Sequence, residues 1–313
     1  QQLKALGETA RQLDIPVVLV KGAAAAQAYP EPWMRPFGDI DLLVDKHQIK
    51  AYFEALRAEG YTQAEETEGM RAWHLPPLHP PYRGPRVEIH PAMAQEQGRW
   101  LFTVAQWQDR LQATAYPGLL APHPVDHVLY LVHHALIHHE MGMGLQTLSD
   151  LWFWTKSWAD ESWEALREAA AAAQMARAVG LALALTRWFW SVPDFQPNRF
   201  PNPTDQVLEV AKQRISGLHT QPRLPNAWRD TPTYTLWGAL TYAKTVLWGD
   251  TGQLAGLPWR DQLAYHLHRP FELYRNHGLA LWRLLTGDAA TRQAWRTQRD
   301  LQTWLRGEDR DNV

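Results

Sequence analysis

Arg35-Pro36-Phe37-Gly38-Asp39-Ile40-Asp41-Leu42-Leu43-Val44 is the stretch on which the reading of this chain turns. Side chains alternate across a strand, so Asp39 and Asp41 project from one face while Ile40 and Leu42 project from the other. Leu42-Leu43-Val44 anchors the strand in a core, and Gly38 just before the acidic pair leaves room for the close approach of a ligand. Two carboxylates that close repel, which raises one pKa unless a divalent cation neutralises them. Hard oxygen ligands at a strand edge suit Mg²⁺ or Mn²⁺. The plain alternative is a solvated Asp-x-Asp at a strand start.

Two other segments extend the pattern. Val17-Val18-Leu19-Val20 reads as a buried strand that ends at Lys21-Gly22 and opens a helix-forming run, Ala23 to Tyr29. Such a turn aims backbone amides at an anion, and Lys21 adds a full positive charge. The same residues also suit a simple tight turn. In Arg86-Val87-Glu88-Ile89-His90, Val87 and Ile89 share one face and Glu88 and His90 the other. Glu88 on a neighbouring strand would complete a carboxylate cage for two cations, which can hold an attacking hydroxyl and a triphosphate for in-line displacement at phosphorus. His90 reads equally as a half-buried, satisfied histidine.

The chain has 313 residues, 45% hydrophobic and 20% charged, with a formal net charge of −2 and no cysteine. Disulfides, zinc ribbons, iron–sulfur clusters and thiol catalysis are thereby excluded. The near-neutral charge argues against a protein that mainly grips extended nucleic acid. No stretch of 18 apolar residues runs uninterrupted, so no membrane span is expected, and cytoplasm is the default compartment. The chain begins at Gln1 without a leader pattern and reads as processed or trimmed.

The expected fold class is α+β: a mixed sheet with flanking helices over residues 1–120, followed by an all-helical domain over 121–313. Strands are expected at 17–20, 40–44, 70–75 and 86–89, and helices at 124 to about 140, 160 to about 190, 204 to about 216, 233 to about 248 and 261 to about 285. Proline-rich stretches at 76–85, 193–203 and 222–232 read as loops. Thirteen of the 17 tryptophans follow residue 150, more in keeping with helix packing than with a binding platform. In the first helix of this half, His127, Tyr130, His134, His138 and Met141 form one stripe, with Val125, Val128, Leu129, Val132 and Leu136 opposite. The apolar face would pack, leaving the histidine face either solvated or lining a cleft where His134 and His138 meet phosphate or acceptor. His134-Ala135-Leu136-Ile137-His138 lacks the internal glutamate of a zinc protease.

In the order Lys21-Gly22, Tyr29-Pro30, Arg35-Pro36, Gly38 to Val44 and Val87 to His90, with 17 residues from Gly22 to Asp39, these segments resemble the DNA polymerase β-type nucleotidyltransferase superfamily. More narrowly, they resemble an uncharacterised bacterial nucleotidyltransferase family within it. The resemblance covers residues 1–120 and the helical remainder only in general character. It implies Asp39, Asp41 and Glu88 as catalytic metal ligands for Mg²⁺ or Mn²⁺. It also implies the Gly22 turn, with Lys21, Ala23, Arg35 and Gly38, as the cradle of a nucleoside triphosphate donor. The implied reaction moves a nucleotidyl group to a hydroxyl or amine of a peptide, sugar or small-molecule acceptor. The chain departs from the superfamily at Ala23, where a serine hydroxyl usually binds phosphate; Lys21 or Arg35 would supply that contact. This departure keeps open sugar or phosphoryl transfer at the same metal site, and a catalytically silent module that binds nucleotide or protein.

Overall fold

The computed structural model describes residues 1–63, 75–96, 99–142, 144–193, 195, 199–216, 283 and 286–306. The chain divides into two compact units, 1–216 and 217–313. In the second, the described helix Ala289–Arg306 buries Leu301 and Leu305.

The first unit is built on two strand pairings around the acidic stretch. Strand β1 (Val17–Val20) lies antiparallel to β2 (Asp39–Val44), with Val20 beside Asp41. Strands β3 (Thr62–Gln63) and β4 (Leu78–His79) lead to β5 (Arg86–His90), which lies parallel to β2 with Asp41 beside Glu88. A separate ribbon pairs β6 (Ala94–Glu96) with β7 (Arg99–Leu101). With β8 (Gln112–Ala113) and β9 (Leu119–Ala121) the main sheet has seven strands in the order β3-β4-β5-β2-β1-β9-β8. The fold class is the α+β arrangement expected.

Both faces of the central strands are covered, which is why β1 is apolar without alternation. On one face Val17, Leu19, Ile40, Leu42, Val87 and Ile89 pack against Leu6 and Ala10 of α1 (Gln2–Leu13). Tyr52, Phe53 and Leu56 of α3 (Ile49–Ala58) complete that layer, and the five-residue α2 (Lys21–Ala25) directly follows β1. On the other face Val18, Val20 and Leu43 meet Val104 and Trp107 of α4 (Val104–Trp107) and Tyr130 of α5 (Pro124–Val132). Gly118, at φ +92°, lets the turn before β9 touch α1; a Cβ there would lie 1.9 Å from the Gly7 carbonyl oxygen.

Four points differ from the expectation. The helix from 124 stops being α-helical at Val132 and continues as a π-helical turn, His133–His138, closed by the His139 amide donating to the His134 carbonyl at 2.9 Å. The expected helix from 160 to 190 is two: α7 (Asp160–Ala172) and α8 (Ala176–Trp190). Gln174 adopts a left-handed φ of 57°, and the Met175 amide reaches back to the Ala170 carbonyl at 2.7 Å. That six-to-one bond is a helix stop that an alanine run does not announce. A helix not foreseen, α6 (Gln146–Thr155), precedes them in the chain and packs on α8, and β4 falls inside the stretch read as a loop at 76–85. Helix α9 (Asp205–Ile215) is where it was expected. The expected strand at 70–75 falls outside the described residues except for Leu75; the connector at 222–232 and the helix at 233–248 lie wholly outside, and that at 261–285 all but residue 283.

Tryptophans of the described helices pack as the composition suggests. Trp163 is 1% exposed and meets Trp158 and Phe195 with ring centroids 5.3 and 5.5 Å away, and Trp152 stacks on Trp190.

Candidate active site

The end of β1 and the beginnings of β2 and β5 lie together, because β1 runs antiparallel and β5 parallel to β2. Along β2, the face that carries Leu43 in the core carries Asp41 and then Asp39 toward its edge. The parallel register places Glu88 beside Asp41 on that face, so the two aspartates and Glu88 share one side of the sheet as the alternation predicts.

The group that comes closest together is Asp41, Glu88 and His90, whose ligand atoms lie within 4.8 Å of one another and whose side chains are all buried. Asp41 is 2% exposed, and its Oδ1 accepts from Lys21 Nζ at 2.6 Å and meets His90 Nε2 at 2.9 Å. Burial alone would raise the Asp41 carboxyl, but the Lys21 ammonium and the His90 contact outweigh it and hold it well below the usual carboxylate range. His90 thus serves as a satisfied buried histidine and as a member of the acidic group; its Nε2 also lies 3.8 Å from Glu88 Oε2. Asp39, expected in the same ligand set, lies outside the closest group. It is more exposed, and Arg86 Nη2 stands 3.6 Å from its Oδ2 and 2.9 Å from Glu88 Oε1. The carboxylate oxygens of Asp41, Glu88 and Asp39 are hard ligands of the kind a divalent cation such as Mg²⁺ or Mn²⁺ takes, whereas the His90 nitrogen, already 2.9 Å from Asp41 Oδ1, is a softer donor that suits a transition metal.

At the turn, Lys21 takes a left-handed φ of 51°, a conformation that side chains other than glycine adopt only when their surroundings hold them there. Gly22 is required for packing: a Cβ would lie 2.8 Å from both Arg35 Nη1 and the Phe37 Cβ. Ala23 is buried behind it, and Gly38 faces open space, with nothing within 4 Å of a Cβ built there. Helix α2 has only five residues before it tightens into a 3₁₀ turn, so its dipole is short, and the cationic groups at the turn are the Lys21 and Arg35 side chains, paired with Asp41 and Asp150. Arg35 is held in a two-pronged ion pair with Asp150 of α6.

The histidine stripe is not the polar face that the spacing suggested. His127, Tyr130 and Met141 are at most 1% exposed, since every α5 residue after Pro124 is buried, and the π-helical turn shifts the register beyond Val132. His134 is half-buried, His138 exposed, and their rings stack with centroids 5.9 Å apart. His134 lies in the fields of Lys21 and Asp41; burial first, then Lys21 and His139, push its pKa well below the usual histidine value. Sequence reasoning gave no role to Arg86, Asp150 or Tyr130. The Tyr130 hydroxyl is buried with no hydrogen-bond partner among the described residues, and its pKa is raised by burial and then by Asp41 and Asp39. No local signal marks Asp150, which meets its partner across 115 residues of chain.

A mixed sheet with an acidic group on paired strands beside a Lys-Gly turn is the architecture that the resemblance implies. Residues 1–191 match the model of the uncharacterised nucleotidyltransferase family, and the chain belongs to that family. It is similar to the solution structure of the antibiotic-resistance factor ANT(2'')-Ia, at 14% identity and a TM-score of 0.38, over 55% of this chain and 90% of that one. It is also similar to the crystal structure of ANT(2'')-Ia in complex with adenylyl-2''-tobramycin, at 14% identity and a TM-score of 0.39, over 55% of this chain and 97% of that one. No curated protein matches the chain in sequence. Among the described residues, no helix is long and apolar enough to cross a membrane.

Proposed function

We propose that the protein moves a nucleotidyl group from a nucleoside triphosphate to a hydroxyl or amine of a peptide, sugar or small-molecule acceptor, with Mg²⁺ or Mn²⁺, in the cytoplasm. The observation that carries this reading is the convergence of Asp41, Glu88 and His90 on one face beside the Lys21-Gly22 turn. Asp41 and Glu88, with His90 and Asp39, would hold the metal, which when bound neutralises charge on the triphosphate and makes its α-phosphorus more electrophilic.

The chain's own groups supply the rest. Lys21, Arg35 and the Gly22 turn bind the β- and γ-phosphates, and His134 and His138 approach the phosphates or the acceptor from the α5 side. The acceptor oxygen forms a bond to the α-phosphorus as its proton passes to a carboxylate of the acidic group. The bond from the α-phosphorus to the bridging oxygen breaks, and pyrophosphate leaves with that electron pair. Because Ala23 has no hydroxyl to offer, the cationic side chains carry the phosphate contacts.

The test incubates the protein with labelled ATP, GTP, CTP and UTP, Mg²⁺ or Mn²⁺, and a metabolite extract, and follows mass by spectrometry. A product heavier by one nucleotidyl group (a nucleoside monophosphate less water), absent with Asp41→Asn, is expected. A gain of a phosphoryl group or a sugar alone would overturn the reading.

A further inference from the structure

We infer that Asp150, seconded by Tyr29, is a positioning residue for the triphosphate end of the site, acting through Arg35 on the Gly22 turn. The inference rests on the nucleotidyl-transfer reading above and adds residues that lie outside the acidic group. Arg35 Nε donates to Asp150 Oδ1 at 3.0 Å and Nη2 donates to Oδ2 at 2.7 Å, so the planar fork is held along one edge. Asp150 is 1% exposed and Arg35 12%. A third donor, the Tyr29 hydroxyl, reaches the same Oδ1 at 2.7 Å, and the Tyr29 ring lies 4.4 Å from that of Phe153 on α6.

The opposite edge of the guanidinium is held too. Arg35 Nη1 donates to the Pro36 carbonyl at 3.0 Å, and Gln146 Nε2, one turn before Asp150 on α6, donates to that carbonyl at 3.1 Å. A side chain fixed on both edges cannot swing, and the face it shows is pressed on Gly22, where a Cβ would come within 2.8 Å of Nη1. The position of a full positive charge against the turn is therefore set by a helix 115 residues away.

Stability alone is a weak reason for such an arrangement, because a buried ion pair is often no better than apolar residues of the same volume. A fixed cation at a turn that lacks a phosphate-binding hydroxyl has a direct use: a polyanion meets a charge that needs no reorganisation. Asp150 touches no ligand in this scheme. It keeps Arg35 where the terminal phosphates arrive.

Calorimetry with Mg²⁺ and each of ATP, GTP, CTP and UTP, beside the corresponding nucleoside monophosphates, tests this on wild type, Asp150→Asn and Tyr29→Phe, with melting followed for each. Asp150→Asn should weaken the triphosphate about ten-fold, as expected for misplacing one charged hydrogen-bond donor, and the monophosphate much less. Tyr29→Phe, which removes only a hydroxyl, should show the same selectivity at about two- to three-fold, and decides the matter alone if Asp150→Asn does not fold. Equal losses for triphosphate and monophosphate, or no loss in a folded variant, would overturn the inference and leave the proposed function standing. A wild type that binds none of the four triphosphates would overturn both.

Discussion

Replacing His127 by leucine should make the protein more resistant to acid. His127 is 0% exposed, packs edge-on to Trp154 at 4.5 Å, and has no hydrogen-bond partner for either ring nitrogen among the described residues. Burial first, and the Arg35 charge second, push its pKa down to about 3. In the unfolded chain it returns to about 6.5. Between those values the unfolded state binds the extra proton, so the contribution of the neutral ring is complete above pH 6.5 and is lost as pH falls toward 3. At pH 4.5 the loss spans about two pH units at about 1.4 kcal/mol each, close to 3 kcal/mol. Leucine carries no proton, and the other titrating groups are common to both proteins and cancel in the difference. Urea unfolding of both proteins at pH 7.5 and 4.5, without nucleotide or metal, should show the stability difference moving by about 2–3 kcal/mol in favour of the variant. Parallel pH dependence would refute the reasoning, since it would mean that His127 gains its proton as readily in the folded protein as in the unfolded one. At pH 7.5 the variant should be near the wild type, because an apolar side chain of similar volume replaces a polar ring without partners.

Gly22→Ala should cost about 1–3 kcal/mol, because the added methyl must displace both Arg35 and the backbone-proximal Phe37 Cβ; an unchanged melting transition would refute the packing argument. Lys21→Ala should weaken nucleoside triphosphate binding about ten-fold or more, and equal affinity by calorimetry with an intact fold would remove Lys21 from the phosphate site. Asp41→Asn should abolish Mn²⁺ binding followed by electron paramagnetic resonance, and retained binding would shift the metal to Asp39 and Glu88.

The parts legible in the sequence were those set by nearest neighbours along the chain. The apolar run from Val17 to Val20 and the alternation around Asp39 and Asp41 fix strands and faces locally, and the same alternation puts Glu88 and His90 on one side of β5. What alternation could not tell was which of the acidic and histidine side chains draw closest. Asp41, Glu88 and His90 do so because β2 and β5 pair in parallel register, and that register depends on 41 intervening residues, 45–85. The stripe from His127 to Met141 failed for a different reason: a 3.6-residue period was assumed through a π-helical turn, and α5 turned out to be buried all round. Asp150 lay beyond local reasoning altogether, since its partners are distant in the chain and its helix carried no recognised start signal.

The opposed directions of β1 and β2 also settle where the molecule can be handled. The turn after β2 holds the exposed Lys46 and His47 at the end of the strand away from Asp39. Six residues of strand put that turn about 20 Å from the acidic rim. A fluorophore, a biotin or a bead tether placed at Lys46 would therefore sit at the end of β2 opposite the Lys21-Gly22 turn and the half-buried Asp39 at the rim of the acidic group. Surface-based screening of unknown acceptors could then proceed on immobilised protein without the anchor standing in the path of the ligand.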